Sequence, residues 1–355
     1  MSEKEPRFLV IKKASIRPSK IVFYDAFFPV GQHEHKALEK VSNETKKECR
    51  NMGVAVQIQP ICNKHNFEIS IKASARIKEK VTWLYELAKN KTVTTTGGKT
   101  LFSFKMNFIT LTLPSLQCHD TAKITSVCLN QFLTECKEKF NLQNYVWRLE
   151  FQQNGNAHYH IATDTYIDYT SCKLIWNRCL EKLGYVARYQ DKMLKLSFND
   201  YLKQYSDGGK TPFNVLRERY GRGTATRWNS PNTVDVRAVS NAKNIAFYIS
   251  KYITKKSEHT MNKIVFDREP KDSNLRLWFC SRSISRLEKI EVFMDEYDHL
   301  VDSCLKNLQE VRRYLFDYCS VWYFNAHQQA NETKRCLWLL YRRYSVSTGY
   351  VPAVA

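Results

Sequence analysis

The tightest constraint on the fold lies between residues 145 and 163. Tyr145–Phe151 and His158–Thr163 each alternate side-chain character, and Asn154-Gly155-Asn156 stands between them. Period-two alternation on both sides of a glycine-containing turn predicts a β-hairpin. Residues two apart on a strand share a face, so His158 and His160 point the same way. Register then decides what joins them. If Asn154-Gly155-Asn156 forms the loop, Gln153 faces Ala157 and Glu150 lies opposite His160. A two-residue loop instead sets Glu150 opposite Tyr159, on the wrong face. Two imidazoles and one carboxylate leave coordination positions open, which suits a catalytic Mg²⁺ or Mn²⁺ better than a closed structural zinc site. Such an ion polarises a phosphate as a Lewis acid. Its imidazole ligands must be neutral, so activity is expected to fall away below about pH 6.

The surrounding pattern supplies a scaffold. Asn107–Leu113 alternates Phe108, Thr110 and Thr112 against Ile109, Leu111 and Leu113 and stops at Pro114, as a strand does. Asp120–Phe140 carries an apolar stripe with Asp120 as its cap, and Cys172–Leu183 is a second helix closed by Gly184. Helical spacing also marks Ile77, Val81, Leu84 and Leu87, and a linker is expected near 90–100, where the pattern breaks. Strands are expected at Phe8–Ile11, Lys20–Val30, Thr233–Val239 and Leu275–Cys280. Residues 200–232 read as a basic loop, and 287–345 as mostly helical, with Leu287, Ile290, Leu300, Leu305, Leu308, Val311 and Leu315 as anchors. Strands and helices in this order predict an α+β fold, one antiparallel sheet covered by helices.

A second chemical element falls within Ser240–Lys256, whose apolar spacing predicts a helix. There Tyr248-Ile249-Ser250-Lys251-Tyr252-Ile253-Thr254-Lys255 repeats a Tyr-x-x-Lys unit, and Tyr248 and Tyr252 are i,i+4 neighbours. A phenol with a pKa of about 10 is a poor nucleophile until a cation favours its ionised form, and Lys251 and Lys255 are placed to provide one. Other motifs carry less. His33-Glu34-His35 has no partner hairpin. Gly97-Gly98-Lys99-Thr100 lacks the first glycine of a phosphate loop, because Val93 stands there, and a strand-like segment follows where a helix is required. Trp338–Tyr344 mixes aromatic and basic residues but fits ordinary helix packing.

Composition narrows the partner. The chain carries 55 Lys and Arg against 35 Asp and Glu, a formal charge of +20, spread along its length rather than gathered in one polybasic segment. That favours nucleic acid over a membrane surface. Eleven cysteines without a CxxC pair indicate reduced thiols. With no signal-peptide pattern at the N-terminus and no long apolar run, the cytoplasm is the expected compartment.

In this order, the apolar strand Phe108–Pro114, the strand His158-Tyr159-His160 and the segment Tyr248 to Lys255 resemble the HUH endonuclease superfamily. The doubled tyrosine and the stretch Arg276–Arg282 look most like the two-tyrosine rolling-circle initiators of microvirus-like single-stranded DNA phages and related plasmids. The resemblance covers 76–286 as an HUH domain, between an N-terminal region 1–75 of unassigned fold and a mostly helical region 287–355. It implies a central antiparallel sheet bearing the histidines, with Glu150 as third metal ligand. It also implies cleavage of a single-stranded DNA origin through a 5′-phosphotyrosine formed by Tyr248 or Tyr252, followed by rejoining. No helicase motif is present, so a host helicase and DNA polymerase are implied partners, in a bacterial cytoplasm. The competing readings are an HUH relaxase or transposase, which motif order disfavours, and a non-catalytic basic DNA-binding protein.

Overall fold

Each strand pairing among the described residues is antiparallel, which with the helices gives the α+β class expected from the alternating segments. The computed structural model describes residues 8–29, 67, 69–95, 97–240, 263–270, 275–293, 299–316 and 319–353. The chain divides into two units: Met1–Lys64 with Glu288–Tyr344, and His65–Leu287 with Ser345–Ala355.

The first unit joins the two ends of the sequence. Strands β1 (Phe8–Arg17) and β2 (Lys20–Pro29) form a hairpin that pairs with β10 (Ile290–Phe293) on one side and with β12 (Cys319–Tyr323) and β11 (Arg312–Phe316) on the other, in the order β10-β1-β2-β12-β11. Ala14, Ile16, Ile21 and Ile290 are buried and fall on one face by register. Helices His299–Lys306 and Asn331–Ser347 bury Val301, Cys304, Leu337, Leu340 and Tyr341, and the Tyr341 hydroxyl donates to the Arg17 carbonyl at 3.5 Å. The C-terminal region is therefore helical over these two stretches and also supplies three strands. Ile290 and Leu315, anchors of the helical pattern, lie on β10 and β11. Trp338 and Tyr341 lie in the long C-terminal helix, where the Arg342 guanidinium stacks 5.0 Å from the Trp338 ring.

The second unit holds a sheet in the order β8-β5-β7-β6-β9. Its members are β5 (Met106–Leu111), β6 (Tyr145–Phe151), β7 (Ala157–Thr163), β8 (Val234–Val239) and β9 (Trp278–Cys280). β5 is buried along its whole length, in keeping with its place inside the sheet and its near-continuous apolar sequence. On one face Ile109, Leu111, Trp147, Leu149, Tyr159 and Ile161 pack with Leu129, Phe132, Ile175, Trp176 and Leu180. The helices behind them are Thr121–Ile124, a π-turn Thr125–Leu129 continuing into Asn130–Phe140, and Tyr169–Glu181. Asp120 caps the first, accepting from Lys123 N at 2.7 Å, and Asp168 caps the last, accepting from Ser171 N at 3.0 Å. Tyr159, the middle residue of the histidine strand, is fully buried between Trp147 and Trp176, ring centroids 6.0 and 6.2 Å away, and its hydroxyl pairs with Thr125 Oγ1 at 2.8 Å. A ring of that size buried with a satisfied hydroxyl contributes roughly 2–3 kcal/mol and fixes which face β7 turns to the helices.

Two expectations need correcting. Residues 90–100 are not a linker. β3 (Lys91–Thr94) and β4 (Thr100–Phe104) pair as a hairpin, closed by Thr95 N donating to the Lys99 carbonyl at 2.8 Å. The turn residues were legible there, but the short flanking strands were not. Residues 200–232 are largely helical, with Phe198–Tyr205 and Phe213–Ala225 following Tyr185–Leu194. Their few apolar residues converge on one cluster of Met193, Tyr201, Leu216 and Trp228, so the polar composition reflects thin helices with one small buried side. The expected helix Arg76–Lys89 is present as Ile71–Leu87, with Ile77, Val81, Leu84 and Leu87 buried as their spacing predicts.

Candidate metal and phosphate site

The hairpin β6–β7 carries the candidate ligands, and its turn sets their register. Gly155 N donates to the Gln152 carbonyl at 2.8 Å and Gln152 N to the Asn156 carbonyl at 2.9 Å, so the loop is Gln153-Asn154-Gly155. It has three residues, as anticipated, but starts one position earlier. Gly155 has φ 80° and takes the last loop position, where a three-residue hairpin needs a left-handed residue. The shift moves every pairing by two residues: Glu150 faces His158, and Arg148 faces His160. The expected Glu150–His160 pairing is thus corrected, yet an even shift preserves the face. Glu150 still reaches His160 diagonally, with Oε2 3.1 Å from Nε2.

The hairpin end is held on several sides. Asn156 Oδ1 accepts from Gln117 N at 2.9 Å, Asn156 Nδ2 donates to the Ser115 carbonyl at 2.9 Å, and Gln117 Oε1 accepts from Ala157 N at 2.7 Å. Glu269, buried just after helix Lys263–Arg268, accepts from Thr121 N at 3.0 Å, from Thr121 Oγ1 at 2.5 Å and from Arg268 Nε at 3.0 Å.

On the face away from the aromatic core, register aligns Asp235, Thr110, His160 and Arg148 across four strands, with His158 and Glu150 in the next row. His160 is 5% exposed; Thr110 Oγ1 lies 3.3 Å from its Nδ1 while Nε2 meets Glu150. Occupying Nδ1 from the neighbouring strand leaves Nε2 as the ligand nitrogen, the usual way in which an outer partner orients a metal-binding imidazole. The His158 and His160 ring centroids are 4.6 Å apart. A cleft of about 300 Å³ opens here, lined by Thr110, Thr112, His158, His160, Asn232, Val234 and Asp235.

Electrostatics suit a cation. Burial, reinforced by the neighbouring His160, pushes the His158 pKa down to about 4. His158 therefore stays neutral well below pH 6, which corrects the expected acid limit for this ligand. Burial pushes the Glu150 carboxyl up, but the His160 hydrogen bond and the Arg148 charge outweigh it and hold the group below its ordinary value. His158 Nδ1 is buried with no hydrogen-bond partner among the described residues. The 3.1 Å between Glu150 Oε2 and His160 Nε2 also matches the spacing of roughly 3 Å between adjacent donors around an octahedral ion with bonds of about 2.1 Å. Among the described residues no three His, Cys, Asp or Glu side chains already converge on one point. The donor types, the neutral imidazole and the orphaned nitrogen fit a hard divalent ion.

Tyr248, Lys251, Tyr252 and Lys255 lie outside the described residues, as does His33-Glu34-His35. The chain on either side is placed: Val239 pairs with Met106 at the end of β8, and Ile264 packs against Gly155 at the hairpin tip. Thr110, Arg148 and Asp235 were not singled out in the sequence as members of the site. The signal for Arg148 was there, a charge alternating with Trp147 and Leu149 on a strand otherwise facing the core.

Residues 106–257 match a family model of replication-associated proteins, of the ORF2 type. That span contains Glu150, His158, His160 and the segment Tyr248 to Lys255. No curated protein and no solved structure matches the chain. Among the described residues no helix is long and apolar enough to cross a membrane.

Proposed function

We propose that this protein initiates rolling-circle replication by nicking single-stranded DNA at an origin and later rejoining the ends, as an HUH-type endonuclease of the two-tyrosine kind. The observation that carries this reading is the pairing of Glu150 with His160 beside a buried, neutral His158 in an open cleft, within the span that matches a replication-associated family. His158, His160 and Glu150 would hold Mg²⁺ or Mn²⁺, which supplies Lewis-acid polarisation of a phosphate oxygen. Thr110 keeps the His160 ring in register from β5.

Tyr248 or Tyr252 acts as nucleophile. Its phenol oxygen forms a bond to phosphorus as the bond from phosphorus to the 3′ oxygen breaks; the phenol proton is lost and the departing 3′ oxygen gains one. The 5′-phosphotyrosine conserves the energy of the broken diester, so a 3′-hydroxyl can reseal the strand. Lys251 and Lys255 stabilise the phenolate and the phosphate charge. A second tyrosine permits a second cut while the first 5′ end is still attached.

The test is incubation of the chain with single-stranded origin DNA and Mn²⁺, followed by a denaturing gel. A covalent adduct is expected with Mn²⁺ and not in excess EDTA, retained in part by Tyr248→Phe and by Tyr252→Phe, and lost in the double variant. An adduct that persists in the double variant, or nicking that is undiminished in EDTA, overturns the proposal.

A further inference from the structure

The sheet of the first unit has a half-open face that the nicking chemistry does not use. Antiparallel register puts Tyr24, Cys319 and Phe316 in one row, Val22, Val321 and Tyr314 in the next but one, and Lys20, Tyr323 and Arg312 in the one beyond that. All three rows lie on the face opposite Ile16 and Ile21. Tyr314 is 50% exposed, Phe316 62% and Tyr323 44%. Three large rings left in water on neighbouring strands are unusual for a face with no partner.

Their surroundings narrow the occupant. The Tyr314 and Tyr323 ring centroids are 5.8 Å apart and nearly perpendicular, and Lys20 Nζ lies 5.8 Å from the Tyr323 ring. Arg312 and Lys20 flank Tyr323 in the same row. Glu291, at the far side of the sheet, is held by Lys289 and by the Tyr24 hydroxyl, 3.1 Å away. An apolar protein partner would have to bury Lys20 and Arg312 without a counter-charge. A polyanion with exposed flat rings matches both features at once. A duplex keeps its base faces stacked internally, so the fit is to an unpaired strand.

We infer that the β2–β12–β11 face of the first unit is a second binding platform for single-stranded nucleic acid, on which Tyr314, Tyr323 and Phe316 stack bases while Lys20 and Arg312 neutralise phosphates. It rests on the proposed function only in taking the strand to be DNA.

The test uses the full chain in EDTA, where cleavage plays no part, and follows binding of a labelled oligothymidylate of about 20 nucleotides by fluorescence anisotropy, long enough to span a stacking platform. Replacing both rings, Tyr314→Ala with Tyr323→Ala, is expected to weaken binding at least about tenfold, since each base stacked on an aromatic contributes strongly. Tyr314→Phe with Tyr323→Phe keeps the rings and is expected to bind as wild type. Wild-type protein photocrosslinked to a bromodeoxyuridine strand should yield adducts within 312–323. Wild-type affinity in the alanine variant, equal losses in the phenylalanine variant, or crosslinks confined to other segments overturn the inference. So does a wild-type dimer that the alanine variant splits without change in DNA affinity, which would make the face an interface between copies. Failure of nicking leaves all these readouts intact, so the two ideas fall separately.

Discussion

Replacing Gly155 tests the turn that places the candidate ligands. At φ 80° an L-residue incurs a backbone penalty of roughly 1–2 kcal/mol. A Cβ there also lies 3.2 Å from Ile264 Cγ2 and 3.5 Å from Ile264 Cβ, closer than side chains normally approach, which adds up to about 1 kcal/mol unless the partly exposed Ile264 gives way. Gly155→Ala should therefore destabilise the second unit by about 1–3 kcal/mol, lowering its melting temperature by roughly 3–8 °C for a unit of this size. Differential scanning calorimetry resolves this if the two units melt separately. The two contributions are separable. In an Ile264→Ala background the contact is gone, and Gly155→Asn should then be milder than Gly155→Ala, because asparagine tolerates the left-handed region. An alanine variant that melts with wild type, or an asparagine variant no better than alanine once Ile264 is trimmed, would refute the assignment of Gly155 as the obligatory left-handed residue.

Other perturbations reach the site more directly. His158 has a folded pKa of about 4 against 6.5 unfolded, so the unfolded chain takes up its proton first as pH falls. The stability it contributes above pH 6.5 declines through that window, by about 2 kcal/mol at pH 5; melting curves of wild type and His158→Gln that run parallel from pH 7 to 4.5 would contradict the burial argument. Glu150→Ala should weaken Mn²⁺ binding at least about tenfold in calorimetric titration while leaving the fold intact; unchanged affinity would remove Glu150 from the ligand set. Glu269→Ala strands the Thr121 amide and hydroxyl and the buried Arg268 charge, and should cost about 3 kcal/mol in chemical denaturation; a loss below about 1 kcal/mol would show that water or another acceptor takes over.

Much of the second unit was legible because its strands alternate and its helices are capped. His158 and His160 could be placed on one face from spacing alone, and the buried run Met106–Leu111 had the composition of an interior strand. The exact register was not, because the sequence offered two frames for a three-residue loop and the choice rests on where Gly155 is needed. Asp235 and Arg148 join the site through pairings between strands far apart in sequence, which local pattern cannot reveal. The same limit hid the first unit. Arg312–Phe316 and Cys319–Tyr323 lack a long alternating signature, and they become strands by pairing with residues near the other end of the chain.

That last arrangement bears on synthesis. β2 emerges from the ribosome almost 300 residues before β12, its neighbour in the sheet, so at about 5–20 residues per second the β1–β2 hairpin waits on the order of 15–60 s for its partner. The second unit is also unfinished until the end. Its Asp164 carboxylate accepts from the Tyr350 hydroxyl at 3.1 Å and from Ala353 N at 3.0 Å. Each unit thus encloses contacts that close only when translation is nearly over, and loop-closure entropy makes such distant pairings slow to form. Until then Ile16 and Ile21 lack the helices that bury them, so a ribosome stalled before residue 288 would carry an adhesive hairpin, and the nascent chain depends on chaperones for longer than its size alone would suggest.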